Sequence, residues 1–175
     1  MVLAIVGLWF SSAQAVTIDL KVLDSDITVG ENFDIEVWVD GEDIGEDLLS
    51  FGFDVFVGGT AFSYLSYNIE SGFEDFSFPP NSNNVSGSGI SFSDDVLLAT
   101  LSFQTNIAGN GLLSVSGPYD EDFYGLFYEE NCFSISAQST IFINEAGPSA
   151  VPVPAPILLL GTGLIGMPWV RKRMK

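Results

Sequence analysis

Apolar and polar residues alternate with a period of two, turn residues recur at short intervals, and no stretch has the spacing of an amphipathic helix. These three features make residues 16–145 an all-β domain. The architecture they predict is a two-sheet antiparallel sandwich, jelly-roll-like, with about nine strands at about eight to twelve residues per strand and turn. Around it the sequence places a signal peptide over 1–15, a proline-containing linker and sorting motif over 146–154, a transmembrane helix over 155–170 and a basic end over 171–175.

The first alternating set is Val16, Ile18, Leu20 and Val22, separated by Thr17, Asp19 and Lys21. The second is Phe33, Ile35, Val37 and Val39, separated by Asp34, Glu36 and Trp38. Phe51, Phe53, Val55 and Val57 form a third. Leu97, Ala99, Leu101 and Phe103 form a fourth, with Thr100 and Ser102 between them, and Ile141 and Ile143 close the series. Each set is the pattern of a strand with one face in a core, because successive side chains of a strand point to opposite faces. Turn chemistry separates them: Val29-Gly30-Glu31-Asn32, Gly58-Gly59, Pro79-Pro80-Asn81, Gly109-Asn110-Gly111 and Gly117-Pro118.

Charge is distributed unevenly. All 23 acids and a single base, Lys21, precede the last five residues, which hold the other four bases. Phosphate binding needs clustered Lys and Arg, so a nucleic-acid partner is excluded for the domain. The chain has no histidine, which removes Ser-His and Cys-His catalysis and histidine metal sites together. Its one cysteine, Cys132, allows no disulfide within the chain.

The N-terminus reads as an export signal. Val2 to Phe10 is an apolar run, and Ala13-Gln14-Ala15 is a small-x-small cleavage pattern with Ala13 and Ala15 as its small residues. No Lys or Arg precedes the run, which leaves a start further upstream or a non-standard signal, with a first buried strand as the alternative reading of the same residues. At the other end, Ile157 to Val170 is apolar except for Thr162, and Arg171 to Lys175 is basic. A helix over 155–170 spans roughly 24 Å at about 1.5 Å per residue. Snorkelling of the basic end extends it toward the bilayer core of about 30 Å. Basic residues stay cytoplasmic, so this order puts the acidic domain outside.

Two resemblances follow from these residues. Val151-Pro152-Val153-Pro154-Ala155, then Leu158-Leu159-Leu160-Gly161 through Gly166, then Arg171-Lys172-Arg173, resemble a PEP-CTERM-type sorting signal in its Val-Pro-x-Pro-Ala variant. That resemblance implies an exosortase-type processing enzyme as a partner, and the envelope or surface of a Gram-negative bacterium as the destination. Val153 stands where the Pro-Glu-Pro form has Glu. Asp26 to Phe33, Ile35 to Val39, Leu49 to Val55 and Leu98 to Phe103 resemble, in order and spacing, the cohesin-like sandwich of cellulosome scaffolds. This second resemblance implies a cohesin-like fold and a dockerin-type protein partner.

Carboxylates are the remaining candidates for chemistry. Asp40, Glu42 and Asp43, with Glu46 and Asp47, form an acidic loop of the kind that supplies calcium with oxygen ligands, although without EF-hand spacing. Solvated surface acids are the alternative reading of the same loop, and no other cofactor is indicated. Asp94-Asp95 and Asp120-Glu121-Asp122 are two further clusters. Paired carboxylates serve glycoside hydrolysis only across a cleft, and these lie in turn-like stretches, so the expectation is a protein without catalytic activity. Phe73, Phe76 and Phe78, and Phe123, Tyr124, Phe127 and Tyr128, are either core residues or a sugar-binding platform. Asn84-Val85-Ser86 is a glycosylation sequon. The function expected from the whole is a non-catalytic surface or extracellular-matrix protein, membrane-anchored or exosortase-processed. The alternative is a surface module that binds a carbohydrate or a dockerin-type partner.

Overall fold

A computed structural model describes residues 16–40, 44–78, 83–91, 95–119 and 124–147. They form eleven strands and no helix. In order these are β1 (Thr17–Val22), β2 (Asn32–Asp40), β3 (Leu48–Gly58), β4 (Phe62–Ile69), β5 (Phe73–Asp75), β6 (Asn84–Ser91), β7 (Asp95–Thr105), β8 (Gly109–Gly117), β9 (Gly125–Tyr128), β10 (Cys132–Phe133) and β11 (Ile135–Ile143). The signal segment, the linker from residue 148 on, the sorting motif and the expected transmembrane helix lie outside the described residues.

Two sheets face each other. One runs β1-β2-β7-β4, and the other runs β10-β9-β3-β6-β5, with β8 joined to β3 and β11 to β8. All strand pairs are antiparallel. The expected two-sheet sandwich is therefore present, with eleven strands rather than about nine. The difference has a local cause. β8 pairs Asp54 to Gly58 of β3, and β9 pairs Leu48 to Gly52, so both lie on the same edge of β3 as two pieces of one line. β10 and β11 return beside them as a second broken line, interrupted at Ser134.

The core is the sum of the inward faces. Phe33, Ile35, Val37 and Val39 of β2 are buried, as the alternation requires, and so are Phe51, Phe53 and Val55 of β3. Phe103 stacks on Phe33 at 5.3 Å between ring centroids and meets Phe62 edge-on at 5.4 Å. Such offset and edge-to-face contacts match the quadrupoles of the rings. Lys21, the one base of the domain, lies over the Trp38 ring at 4.2 Å on the outside of the four-stranded sheet.

Two bulges shift the simple alternation. The β2–β7 register slips between Val37 and Trp38, where Val37 faces Ala99 and Trp38 faces Leu97. The extra residue turns Leu98 into the core and leaves Leu97 half-exposed, which corrects the expectation that Leu97 points inward with Ala99. A second slip between Leu48 and Ser50 puts Leu48 on the same buried face as Phe51.

The sandwich is closed at its base by a polar turn. Glu31 N–H donates to the Thr28 carbonyl at 3.3 Å, with Gly30 at φ 91° as the third residue of the turn. That left-handed backbone suits glycine. Thr105, at the end of β7, is buried, and its hydroxyl lies 2.8 Å from the Thr28 carbonyl and 2.9 Å from that of Glu31. The same oxygen accepts from Glu31 N–H at 2.9 Å. Beside this turn Thr28 forms a parallel bridge with Asn144, and the Asn144 amide donates to Asp26 at 2.7 Å. The start of the domain is thereby tied to its end.

Candidate functional site

The outward faces of the two sheets differ in charge. The outside of the four-stranded sheet presents Asp19, Asp34, Glu36, Asp40 and Asp95. The outside of the seven-stranded sheet presents Ser50, Asp54 and Phe56 of β3, Asn84, Ser86 and Ser88 of β6, Ser114 and Ser116 of β8, and Gln138 and Thr140 of β11. Its acids among the described strand residues are Asp54 and, at the edge on β5, Glu74. The same face also exposes Leu112 of β8 and Phe142 of β11 beside Phe56, so in this acidic domain it is a surface of hydroxyls, amides and apolar side chains with few charges.

On that face lies a groove of about 480 Å³. Ser50, Phe51, Ser86, Gly87 and Ser88 form its floor, Phe76 and Phe78 line one side, and Tyr124 and Asn84 line the other. Its size is within the range of about 300–1,000 Å³ typical of ligand pockets. Phe76 is 61 % exposed and Phe78 is 84 % exposed.

The walls are held in place. Phe76 N–H donates to the Ser86 carbonyl at 2.9 Å. The Ser77 hydroxyl accepts from Ser86 N–H at 2.9 Å and lies 3.3 Å from the Ser86 carbonyl. Ser77 N–H donates to Asp75 at 2.9 Å, and the Tyr67 hydroxyl donates to the same carboxylate at 3.1 Å. Partial burial opposes ionisation of Asp75, but the hydrogen bonds from Ser77 and Tyr67 outweigh it and hold the carboxyl below its usual range. Opposite, the Asn84 amide donates to the Tyr124 hydroxyl at 2.9 Å, and that hydroxyl lies 3.3 Å from Asp54. Two exposed phenylalanines on a segment tied to β6 are therefore presented to solvent by the fold itself.

The structure divides the aromatic residues singled out in the sequence. Phe73 is core, edge-on to Phe51 at 5.1 Å. Tyr128 is core as well: burial, and then the charge of Glu46, push its phenol up to about 12. Phe127 packs edge-on against Tyr119 at 5.7 Å. Phe76, Phe78 and Tyr124 are the ones brought together, across 46 or more residues of sequence. Phe123 lies outside the described residues. The floor serines carried no signal of their own, because only strand register shows that residues of β3 and β6 share a surface.

The acidic candidates have other places. Asp40 ends β2 directly opposite Asp95, the first residue of β7, and both are exposed. Glu42, Asp43, Asp94, Asp120, Glu121 and Asp122 lie outside the described residues. Among the described residues no three His, Cys, Asp or Glu side chains gather in a way that would hold a metal ion. Glu46 is a turn cap: its carboxylate accepts from Glu130 N–H at 2.9 Å and Asn131 N–H at 3.2 Å, and from the Asn131 side-chain amide. Asn84 of the sequon is half-buried in the groove wall, and Cys132 is exposed with a free thiol.

No family model matches this chain, and no curated protein matches it in sequence. Solved structures do match. A cohesin module of a family 33 glycoside hydrolase from Clostridium perfringens superposes with a TM-score of 0.60 at 13% identity, covering 77% of this chain and all of that one. The sandwich is cohesin-like. A type I cohesin–dockerin complex from Clostridium thermocellum matches with a TM-score of 0.49 at 11% identity, over 78% of this chain and 99% of the other. A non-cellulosomal cohesin from the archaeon Archaeoglobus fulgidus matches with a TM-score of 0.45 at 14% identity, over 74% and 91%. At these identities the cohesin likeness is one of fold.

Proposed function

We propose that this chain is an exported, non-catalytic surface or extracellular-matrix protein whose cohesin-like sandwich binds a partner through the outer face of its seven-stranded sheet. The observation that carries this reading is the groove beside Phe76 and Phe78, on a face whose described strands carry few acids in a strongly acidic domain. Depletion of charge together with exposed aromatics is the composition of binding surfaces rather than of solvated ones. Acids elsewhere on the domain keep it soluble and repel anionic surfaces.

Export and sorting rest on the two ends of the sequence. Ala13 and Ala15 mark the cleavage site, and Val151 to Ala155 mark the sorting motif ahead of an apolar stretch and a basic end. In this reading an exosortase-type enzyme processes the tail, and the apolar stretch holds the domain in the membrane until it does. The sequence resemblance to cohesins puts a dockerin-type protein among the partners to be tested.

Fractionation of cells producing the full chain tests the destination. The protein is expected in the envelope or the medium, and recovery of an uncleaved cytosolic form would contradict export. Immobilised full chain, presented with secreted proteins and polysaccharides, tests the face. Capture is expected to be lost when Phe76 and Phe78 are both changed to Ala, and capture indifferent to that change would contradict the assignment.

A further inference from the structure

The groove also specifies the chemistry of its occupant. We infer that it takes a neutral polysaccharide chain, with sugar rings laid against Phe76, Phe78 and Tyr124 and sugar hydroxyls bonded to the serine floor. This rests on the binding face proposed above and names its ligand class.

Three observations select that class. The lining combines aromatic rings (Phe51, Phe76, Phe78 and Tyr124) with hydroxyls, Ser50 and Ser88 directly paired across β3 and β6 and Ser86 next along β6. A sugar ring has that same division: an apolar C–H face that stacks on an aromatic ring and a rim of hydroxyls that donate and accept hydrogen bonds. Charge comes second. Lys21, the one base ahead of the terminal cluster, sits over Trp38 on the other sheet, so nothing in the groove neutralises a uronate, sulfate or phosphate. Asp54, beside Tyr124, repels such groups and is free of that conflict with a neutral chain. Third, the floor strands are closed to an added strand. β6 is paired on both edges, by β3 and β5, and β3 is paired on both edges, by β6 and by β8 with β9. An extended peptide binds most readily by adding to a free sheet edge, and this groove offers side chains only.

Preorganisation supports the same assignment. The bonds from Phe76 N–H to the Ser86 carbonyl, from Ser86 N–H to the Ser77 hydroxyl, and from Asn84 to Tyr124 hold the backbone of the Phe76 segment and the Tyr124 hydroxyl before a ligand arrives. Binding then spends little on ordering that backbone.

A glycan array probed with the labelled full chain tests the inference. The array would carry neutral hexasaccharides (β-1,4-glucan, β-1,4-xylan and β-1,4-mannan) and the anionic polygalacturonate and hyaluronan. Binding to at least one neutral chain and to neither anionic one is expected. Phe76→Ala combined with Phe78→Ala is expected to weaken it by at least about tenfold. Because both rings are exposed, the variant should melt with the parent. Ser88→Glu, which puts charge on the floor, should weaken binding comparably. Failure of every neutral chain to bind at millimolar concentration, a preference for the anionic chains, or neutral binding untouched by both variants would each overturn the inference. If no glycan binds but a secreted protein is captured in a Phe76- and Phe78-dependent way, the binding face stands and the polysaccharide assignment falls.

Discussion

The side-chain amide of Asn84 donates to the hydroxyl of Tyr124 at 2.9 Å, joining the first residue of β6 to the residue that precedes β9. The same hydroxyl lies 3.3 Å from Asp54 on β3. One phenol thus ties three strands of one sheet and stands as a wall of the groove. Tyr124→Phe keeps the ring and removes the ties. It is expected to lower stability by about 0.5–1.5 kcal/mol, the net worth of a hydrogen bond, in a urea titration. A variant as stable as the parent would show that the phenol is not held through its hydroxyl.

Thr105 is the buried polar residue on which the base of the sandwich turns. Its hydroxyl serves the Thr28 and Glu31 carbonyls and the Glu31 N–H. Thr105→Val keeps the shape and leaves polar backbone without its partner. The expected loss is about 1–3 kcal/mol by denaturant unfolding; a neutral outcome would mean that the Thr28 to Glu31 turn closes without it.

Gly117 ends β8 where it passes β3. A Cβ there would be driven into the Gly52 carbonyl, a backbone atom that cannot swing aside. Gly117→Ala is expected to destabilise by about 1–3 kcal/mol or more, as overpacking does. Gly147→Ala meets nothing within 4 Å and should stay within about 0.5 kcal/mol of the parent. Equal melting temperatures for the two variants would contradict the close approach of β8 to β3.

Asp75 gives the segment of Phe76 and Phe78 a pH dependence. Its carboxyl is held below the usual range by Ser77 and Tyr67 against the opposing effect of burial. A lowered folded-state value means that the stabilisation is complete above the unfolded value, about 3.9, and is lost as pH falls through the folded one. The stability difference between the parent and Asp75→Asn is therefore expected to be constant from pH 7 to about 5 and to shrink below about 4. A difference independent of pH across that range would show that the carboxylate is not what Ser77 and Tyr67 recognise.

Much of the sandwich is legible in the sequence, because a half-buried strand writes its inner face as every second residue. Phe33, Ile35, Val37 and Val39 are spaced that way and all are buried. Leu97 and Leu98 show where this fails. A bulge inserts one residue and reverses the faces on one side of it, and nothing in Val-Leu-Leu-Ala marks the position. The strand count departs for a related reason, since β8 with β9 and β10 with β11 are single lines broken partway. Of the groove, the sequence shows the aromatics but not their separation. Phe73 and Phe76 are three residues apart, yet one supports Phe51 in the core and the other stands in solvent. The serine floor is built by register alone, and the charge contrast between sheet faces emerges only once the strands are paired.

The most direct test of the binding face is an NMR titration of the full chain with the neutral hexasaccharides, read at the backbone amides. The expected shifts gather at Ser50, Ser86 and Ser88 and along residues 76–78, with Asp34 and Glu36 on the opposite sheet unmoved. Shifts centred on the four-stranded sheet, or spread evenly over both faces, would contradict the proposal that the outer face of the seven-stranded sheet is where this protein binds.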